Sequence, residues 1–233
     1  MKIMMVEGRY KGKIDLGKLD TSLLPKNLGI VTTVQFLDFL DEINNYLESK
    51  GKNVFMDKLR QKYEGQLLGC DVGAADKIKD EVDAVLYIGT GKFHPLGIAL
   101  AINKDVFCYD PVNAIFSKID KREVERYNLR RKSAYFKFLE ATELGILVSL
   151  KPGQNNFRKA VQLKEKLKDK NCYIFAFDTL DFGQIENFPF VQCWVNTACS
   201  RILDDYEKFP KPLVDLSDIG NFEKFVFQRI FQK

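Results

Sequence analysis

Short apolar runs separated by longer amphipathic segments are the feature that most restricts what this chain can fold into. Runs such as 83–89 (DAVLYIG) and 144–150 (LGILVSL) are apolar almost throughout, without strict alternation of apolar and polar residues. Such runs are typical of strands that are buried on both faces of a parallel sheet. By contrast, 35–51 (QFLDFLDEINNYLESKG) places apolar residues at helical spacing and ends on a glycine. The sequence therefore predicts alternating strands and helices, which is an α/β fold.

The alternation occurs twice along the chain. A charged segment rich in helix-forming residues, 117–143, separates two halves, and 144–154 (LGILVSLKPGQ) resembles 28–35 (LGIVTTVQ). We interpret the halves as two tandem Rossmann-like domains with mainly parallel sheets, related by internal duplication, over residues 1–142 and 143–233. The predicted strands are 2–7, 28–34, 53–56, 83–89, 105–111, 144–150, 172–178, 190–196 and 211–216, and the predicted helices include 35–51, 94–104, 117–143, 155–170 and 221–233.

Composition excludes several classes of protein. The chain has 233 residues, of which 45% are hydrophobic and 29% charged, as is ordinary for a soluble globular protein. Its apolar runs are far shorter than the roughly 20 residues that span a bilayer, and no signal-peptide pattern occurs at the N-terminus, so we expect a cytoplasmic protein that does not bind membranes. The net charge of +4 is spread along the chain, which gives little support to direct nucleic-acid binding.

The cysteines divide into two groups by position. A cytoplasmic chain keeps thiols reduced, so its five cysteines are core residues, reactive groups or ligands. Cys172 and Cys193 lie early in predicted strands and Cys108 lies inside one, which favours core positions. Cys70 occupies a glycine-rich turn before a predicted helix, where a thiolate is favoured, and Cys199 follows a strand. These two remain candidate metal ligands, although Cys70 also fits a small buried residue in a tight turn and Cys199 a buried thiol at the end of a strand.

Several polar side chains follow predicted strands, where doubly wound sheets bind their ligands. His94 precedes Pro95 at the start of a predicted helix, where it fits either a packing residue or a functional group. Arg201 can present two N–H donors to a carboxylate, or can lie at the surface. Asp204 and Asp205 are adjacent and would point in different directions on a helix, which argues against a general acid and base pair. With one histidine and no Cys-x-x-Cys pair, a self-contained zinc site is not expected.

Motifs spread over most of the chain narrow these alternatives. In order, they are GIVTTVQ (29–35), GQLLGCDVGAA (65–75), YIGTGKFHPLGIALA (87–101), DVFCYDP (105–111), GILVSLKPGQ (145–154) and VNTACSRILDDYEKFPKPL (195–213). The chain thereby resembles the archaeal and eukaryotic diphthamide synthase family, in which similar motifs occur in the same order. The resemblance rests on the whole series and not on a single glycine loop.

The resemblance implies a transferase, a 2-(3-amino-3-carboxypropyl)histidine synthase that catalyses the first step of diphthamide biosynthesis. Members of the family have three similar α/β domains that each give one cysteine to a 4Fe-4S cluster, as suits iron bound by thiolates. S-adenosyl-L-methionine binds at the open iron, and its reductive cleavage gives a 3-amino-3-carboxypropyl radical that is transferred to a histidine of translation elongation factor 2. By motif, Cys70 and Cys199 match the second- and third-domain ligands.

The same resemblance implies candidate contacts for S-adenosyl-L-methionine. Gln35, His94, Gln154 and Arg201 lie in family motifs at predicted strand ends, and each carries a polar group able to hydrogen-bond this cofactor. Arg201 could bind its carboxylate through both edge nitrogens, and Gln154 could bond to the same end. Beyond the cluster itself, no catalytic residue is assigned.

The family's first domain has no counterpart in this sequence, so two thiolates alone would have to hold the cluster. Met1 and the strand predicted over 2–7 favour a separate first-domain polypeptide that completes the site, over a fragment or a relative that has lost the cluster. We also expect a dimer. Ser200 stands where the family commonly has proline. The alternative is a non-catalytic subunit, or a module that binds elongation factor 2 within the synthase complex.

Overall fold

Two mainly parallel sheets organise the chain, one in each of two units formed by residues 1–125 and 126–233. The computed structural model describes residues 4, 6–69 and 71–220. Cys70 and the helix predicted over 221–233 therefore lie outside the described residues, and residues 216–220 are helical. In the part of the chain that is described, no helix is both long and apolar enough to cross a membrane.

The first unit contains a five-stranded sheet in the order β2-β1-β3-β4-β5. Neighbouring strands are parallel except for the final hairpin between β4 and β5. Helices connect the parallel strands, because parallel neighbours need a crossover connection between them. The elements are 3-10 helices at Leu16–Lys18, Thr21–Leu23 and Val34–Phe39, strands β1 (Asn27–Thr32), β2 (Asn53–Phe55), β3 (Ala84–Ile88), β4 (Asp105–Asp110) and β5 (Ile115–Lys118), and helices α1 (Leu40–Ser49), α2 (Gly73–Ile78) and α3 (Phe93–Ile102).

Both faces of this sheet are covered, which explains why its central strands are apolar throughout. On one face, strand residues such as Leu86 pack with Ile43 and Leu47 of α1. On the other face, residues such as Val85 pack with Ile98 of α3 and with side chains of α2. Because the side chains of a strand alternate between the two faces, neighbouring residues of β3 enter different core clusters.

The second unit contains a four-stranded parallel sheet in the order β7-β6-β8-β9. A long helix leads into it, and shorter helices connect its strands. The elements are α4 (Lys121–Glu140), β6 (Glu143–Ser149), α5 (Phe157–Lys166), β7 (Asn171–Phe177), α6 (Phe182–Ile185), β8 (Cys193–Asn196), a 3-10 helix at Ser200–Lys208 and β9 (Leu213–Asp215). One face packs on α4 and α5, and the other on a cluster rich in aromatic residues around the fully buried Trp194.

The structure confirms the predicted fold class and departs from the prediction in a few elements. The strand predicted over 2–7 is wrong for the residues that are described there, because Met4, Val6 and Glu7 lie outside any strand. Strand β5 was not predicted, since it is short and largely exposed. The chain divides into its two compact units after Glu125, inside α4, and Tyr135 of that helix packs in the core of the second unit. The domain boundary after residue 142 stays a prediction.

The parallel strands of the two sheets follow the same order. In the first unit β1 lies between β2 and β3, and β4 pairs with β3. In the second unit β6 lies between β7 and β8, and β9 pairs with β8. A repeated strand order is what an internal duplication would produce, and that origin stays an interpretation. The functional consequence is that both units present loops at the carboxyl ends of equivalent central strands, where doubly wound sheets bind ligands.

Candidate functional site

The end of β1 is bonded to the segment that precedes Cys70. The backbone N–H of Thr32 donates to the carbonyl of Gly65, and the N–H of Leu67 donates to the carbonyl of Thr32, each over 2.7 Å. The buried hydroxyl of Thr32 donates to the carbonyl of Ile88 at the end of β3, also over 2.7 Å. Residues 65–67 are thereby held at the carboxyl edge of the first sheet.

The turn around Cys70 is defined by the residues on each side of it. Gly69 has φ of +57°, a left-handed conformation that favours glycine. The N–H of Asp71 donates to the carbonyl of Leu68 over 2.9 Å, and the Asp71 carboxylate accepts from the N–H of Gly73 over 2.8 Å. Helix α2 begins at Gly73, so a helix does follow this turn, as the sequence predicts. Cys70 itself lies outside the described residues.

His94 lies in the first turn of α3, just beyond the glycine-rich loop that follows β3. Its ring stacks on the ring of Tyr87, with the centroids 5.7 Å apart, and the Tyr87 hydroxyl lies 3.4 Å from Nδ1 of His94. Burial raises the pKa of Tyr87 to about 12, so this phenol remains protonated at neutral pH. Gly89, at φ of +154°, lies where a Cβ would come within 2.5 Å of the Tyr87 hydroxyl. The histidine is therefore oriented by a neutral phenol.

Gln35 is exposed in the 3-10 helix that follows β1. Its backbone carbonyl accepts a hydrogen bond from the N–H of Tyr10 over 2.7 Å, which fixes the backbone and leaves the side chain at the surface. Gln35 and His94 thus follow neighbouring parallel strands of one sheet, β1 and β3. Both are at the strand ends where the sequence predicts them.

Cys199 follows β8 and precedes the 3-10 helix at Ser200–Lys208, for which it is the N-cap residue. It is half-buried, and its thiol is free. Asn196, the last residue of β8, holds the backbone around it: its Nδ2 donates to the Cys199 carbonyl over 3.0 Å, and its Oδ1 accepts from the N–H of Ala198 over 3.0 Å. The same Nδ2 donates to the Asp215 carboxylate at the end of β9 over 2.8 Å. Asn196 is fully buried and its partners are half-buried, so these bonds are partly shielded from water.

A second amide supports the same loop from the other side. Nδ2 of Asn156, at the start of α5, donates to the carbonyl of Thr197 over 2.8 Å. The Thr197 hydroxyl is buried and donates to the carbonyl of Leu147 in β6 over 2.7 Å. Three strands and one helix therefore fix residues 197–199. The sequence analysis did not identify Asn196 or Asn156, although a lone asparagine at the end of the apolar run 190–196 (FVQCWVN) was an available signal.

Gln154 and Arg201 both follow strands of the second sheet, as predicted. Gln154 is half-buried in the loop after β6, where its N–H donates to the carbonyl of Lys151 over 3.1 Å. Arg201 is exposed, and its Nε lies 3.7 Å from the Asp204 carboxylate one helical turn away. Partial burial raises the pKa of Asp204, and the nearby Arg201 charge opposes that shift. Asp205 pairs separately with Lys208 over 2.7 Å, so the two acids do not act as a pair.

The other described cysteines have little thiolate character. Cys172 and Cys193 are buried in β7 and β8, and Cys108 is half-buried in β4. Burial raises the pKa of Cys108 and of Cys193 to about 12, and raises that of Cys172 as well. The prediction that these three are packing residues agrees with their positions. Among the residues the structure describes, Cys199 is the one cysteine that lies outside a strand.

Cys199 fits an iron ligand in its chemistry and in its position. A half-buried thiol on a loop with a fixed backbone can reach a metal ion without unfolding a strand, and thiolate is the ligand type that iron–sulfur clusters use. Within residues 4, 6–69 and 71–220, no three His, Cys, Asp or Glu side chains gather closely enough to hold a metal ion. A cluster would therefore need ligands in addition to Cys199, with Cys70 the candidate from this chain.

A match to one family model shows to which protein family the chain belongs. A family model described as "Putative diphthamide synthesis protein" matches residues 6–220. The chain belongs to this family. The match covers all the described strands, and it confirms at the family level the resemblance that the ordered motifs indicate.

Curated relatives in the diphthamide synthesis family are longer than this chain. The 2-(3-amino-3-carboxypropyl)histidine synthase of Pyrococcus horikoshii is 33% identical over 98% of this chain and 66% of its own length. The enzyme of the same name from Methanocaldococcus jannaschii is 31% identical over 83% of this chain and 59% of its own length. Subunit 1 of the synthase from Homo sapiens is 25% identical over 80% of this chain. The chain thus spans less than two thirds of the length of these relatives.

Solved structures show that the similarity to this family extends to the fold. The crystal structure of Dph2 from Pyrococcus horikoshii matches with a TM-score of 0.74 and 30% sequence identity, over 88% of this chain and 59% of that chain. A crystal structure of the same protein with a 4Fe-4S cluster matches with a TM-score of 0.71 over 88% of this chain and 58% of that chain. Over 88% of its own residues, this chain therefore has the fold of Dph2.

Proposed function

We propose that this chain is part of an S-adenosyl-L-methionine-dependent 3-amino-3-carboxypropyltransferase that modifies a histidine of translation elongation factor 2 in diphthamide biosynthesis. The observation that carries the proposal is the half-buried free thiol of Cys199. It lies at the carboxyl edge of the second sheet, on a loop whose backbone is held by hydrogen bonds. The relatives named 2-(3-amino-3-carboxypropyl)histidine synthase and the Dph2 structure with a 4Fe-4S cluster support it.

Cys70 and Cys199 would hold the cluster from this chain, and a third thiolate would come from a separate first-domain chain. When bound, the cluster supplies the electron that cleaves a C–S bond of S-adenosyl-L-methionine. The protein's own part is to present Cys199 in a fixed place, which Asn196 achieves by bonding to the Cys199 carbonyl and to Asp215. A fixed ligand does not have to be ordered when the cluster binds, so less free energy is lost on binding.

The polar residues at the strand ends would bind the cofactor. Arg201 is exposed just after β8, and its guanidinium has the two parallel N–H donors that can bind a carboxylate. Gln154 lies in the neighbouring loop of the same sheet and can hydrogen-bond to the amino acid end of the cofactor. Gln35 and His94 in the first unit provide further hydrogen-bonding groups, with His94 oriented by Tyr87.

A test of this function is the replacement of Cys199. We expect Cys199→Ala, expressed anaerobically with a first-domain partner, to lose most of its bound iron and its consumption of S-adenosyl-L-methionine, since one of the cluster's thiolates is removed. Iron and sulfide assays with chromatographic analysis of the cofactor products measure both. The matched control is Cys172→Ala, which removes a buried thiol in β7 and should keep the cluster.

The same experiment tests the alternative function. Full iron content and full turnover in Cys199→Ala would contradict the proposal. A wild-type protein that never binds iron but still binds elongation factor 2 would show the non-catalytic, factor-binding subunit instead.

A further inference from the structure

A groove of about 380 Å³ lies within the second unit, between one face of α4 and the segment that joins the 3-10 helix to β9. Its volume is in the range of ordinary ligand pockets. Leu203, Phe209 and Leu213 are largely buried and form an apolar floor, and Pro212 borders it. None of the residues proposed to bind the cluster or the cofactor lines this groove.

The rim of the groove carries more positive than negative charge. Among the described residues, Arg130, Arg131, Lys137 and Lys211 line it together with one acid, Glu207, and Asp204 lies close enough for the Arg130 charge to act on it. Two of the cations have partners. Arg131 binds the buried Asp218 carboxylate through two nitrogens, and Lys137 pairs with Glu140 over 3.0 Å.

Arg130 and Lys211 differ from these two. Across the described part of the chain, neither one has an ion pair or a hydrogen bond from its charged group. The Arg130 guanidinium carbon lies 3.5 Å from the ring centroid of Tyr206 and 4.6 Å from that of Tyr127. Cation–π contact with the two rings orients the guanidinium, and its N–H groups make no hydrogen bond among the described residues. Such an arginine is suited to bind a carboxylate with two hydrogen bonds.

We propose that this groove binds an acidic, partly apolar peptide segment of a partner protein. A carboxylate of the segment bonds to Arg130 with Lys211 nearby, and an adjacent apolar side chain covers the floor formed by Leu203, Phe209 and Leu213. The lining of the groove as a whole is more apolar than polar, which favours a peptide that can cover it over phosphate, which would contact the cations alone. This proposal does not depend on the transferase activity.

Peptide binding to the full chain tests the proposal. A fluorescein-labelled library of short peptides that combine glutamate or aspartate with leucine or phenylalanine is selected against the intact protein, and binding is measured by fluorescence anisotropy. We expect binders whose affinity falls by about 10-fold or more in Arg130→Ala, since a charge-assisted bidentate contact is lost. Arg130→Lys should also lose most of the affinity, because lysine keeps the charge but not the paired donors.

The matched control is Arg126→Ala, which removes the same charge from an exposed position of α4 outside the groove. It should leave affinity within about 2-fold, as expected for a surface charge away from the contact. The proposal is overturned if no peptide binds in an Arg130-dependent way, if Arg126→Ala weakens binding equally, or if the peptides with lysine in place of the acids bind as well. Complete displacement by an equal concentration of inorganic phosphate would also overturn it, by assigning the groove to a small anion.

Discussion

At the scale of single residues, Asn196 shows how a side chain with no reaction of its own can support a reactive one. Its amide bonds to the backbone on both sides of the loop and to Asp215 of the neighbouring strand. Asn196 is fully buried and the groups that it bonds to are half-buried, so its removal would leave its partners without these hydrogen bonds. The position of Cys199 therefore depends on a strand that comes later in the chain.

The first prediction concerns this amide. Asn196→Ala should lower the free energy of unfolding by about 1–3 kcal/mol, because buried polar groups lose their partners. It should also speed hydrogen exchange at the Ala198 amide, which donates to Asn196. Urea unfolding and exchange measured by mass spectrometry check both effects. Asn187→Ala is the control at an exposed asparagine, and an equal loss of stability there would refute the explanation.

At the scale of elements, the close contact between β6 and β8 depends on one glycine. A Cβ on Gly145 would lie 2.4 Å from two ring carbons of Trp194, which is fully buried and also packs edge-on against Phe175. The two strands are direct parallel neighbours, with Gly145 opposite Trp194. The glycine leaves the space in which the largest side chain of this sheet fits.

We therefore predict that Gly145→Ala destabilises the protein by about 1–3 kcal/mol through overpacking. Thermal unfolding followed by circular dichroism measures the loss. Gly183→Ala provides the control, since a Cβ there meets nothing closer than the Asp181 carboxylate at 3.4 Å. Equal stability of the two variants would show that the tryptophan can move aside without cost.

The strands also show which sequence signals are sufficient to predict a strand. The central strands were predictable because burial on both faces makes them apolar throughout. The apolar run at the start of the chain was misleading: Met4 and Val6 are 84% and 78% exposed, so apolar composition alone did not produce a strand there. Strand β5 was missed because it depends on pairing with β4 and has few buried residues of its own.

Like the fold, the candidate site was predictable from the sequence only in part. Cys199 and His94 follow strands, which the sequence indicates directly. The amide contacts around Cys199 join residues that are 19 positions apart, as with Asn196 and Asp215, so they emerge only when β8 and β9 are neighbours. The stacking of Arg130 on Tyr206 depends likewise on how a helix packs on a distant segment.

At the scale of the whole molecule, length is the feature with the largest consequence for function. The chain covers 66% and 59% of the two archaeal relatives, and its two units repeat one order of parallel strands. If each such unit contributes one thiolate, the proposed cluster needs a further unit of the same kind. A separate first-domain polypeptide is one possible source of that unit, and it stays a proposal.

The last prediction concerns this requirement. Anaerobic reconstitution of the chain alone should give less than one cluster per chain, because two thiolates leave more of the cluster's iron without a protein ligand. Addition of a first-domain polypeptide should raise the iron content toward four per complex. Replacing the cysteine of that polypeptide by alanine is the control, and a full cluster on this chain alone would contradict the requirement for a third thiolate.

Trp194 gives the molecule a spectroscopic reporter of its own. It is the single tryptophan of the chain, and its buried indole lies among Phe175 and other apolar side chains of the second unit. Its Nε1 has no hydrogen-bond partner among the described residues, so its emission should lie at short wavelength. Intrinsic fluorescence therefore follows the unit that carries Cys199 and the groove, without a label and without a competing signal from the first unit.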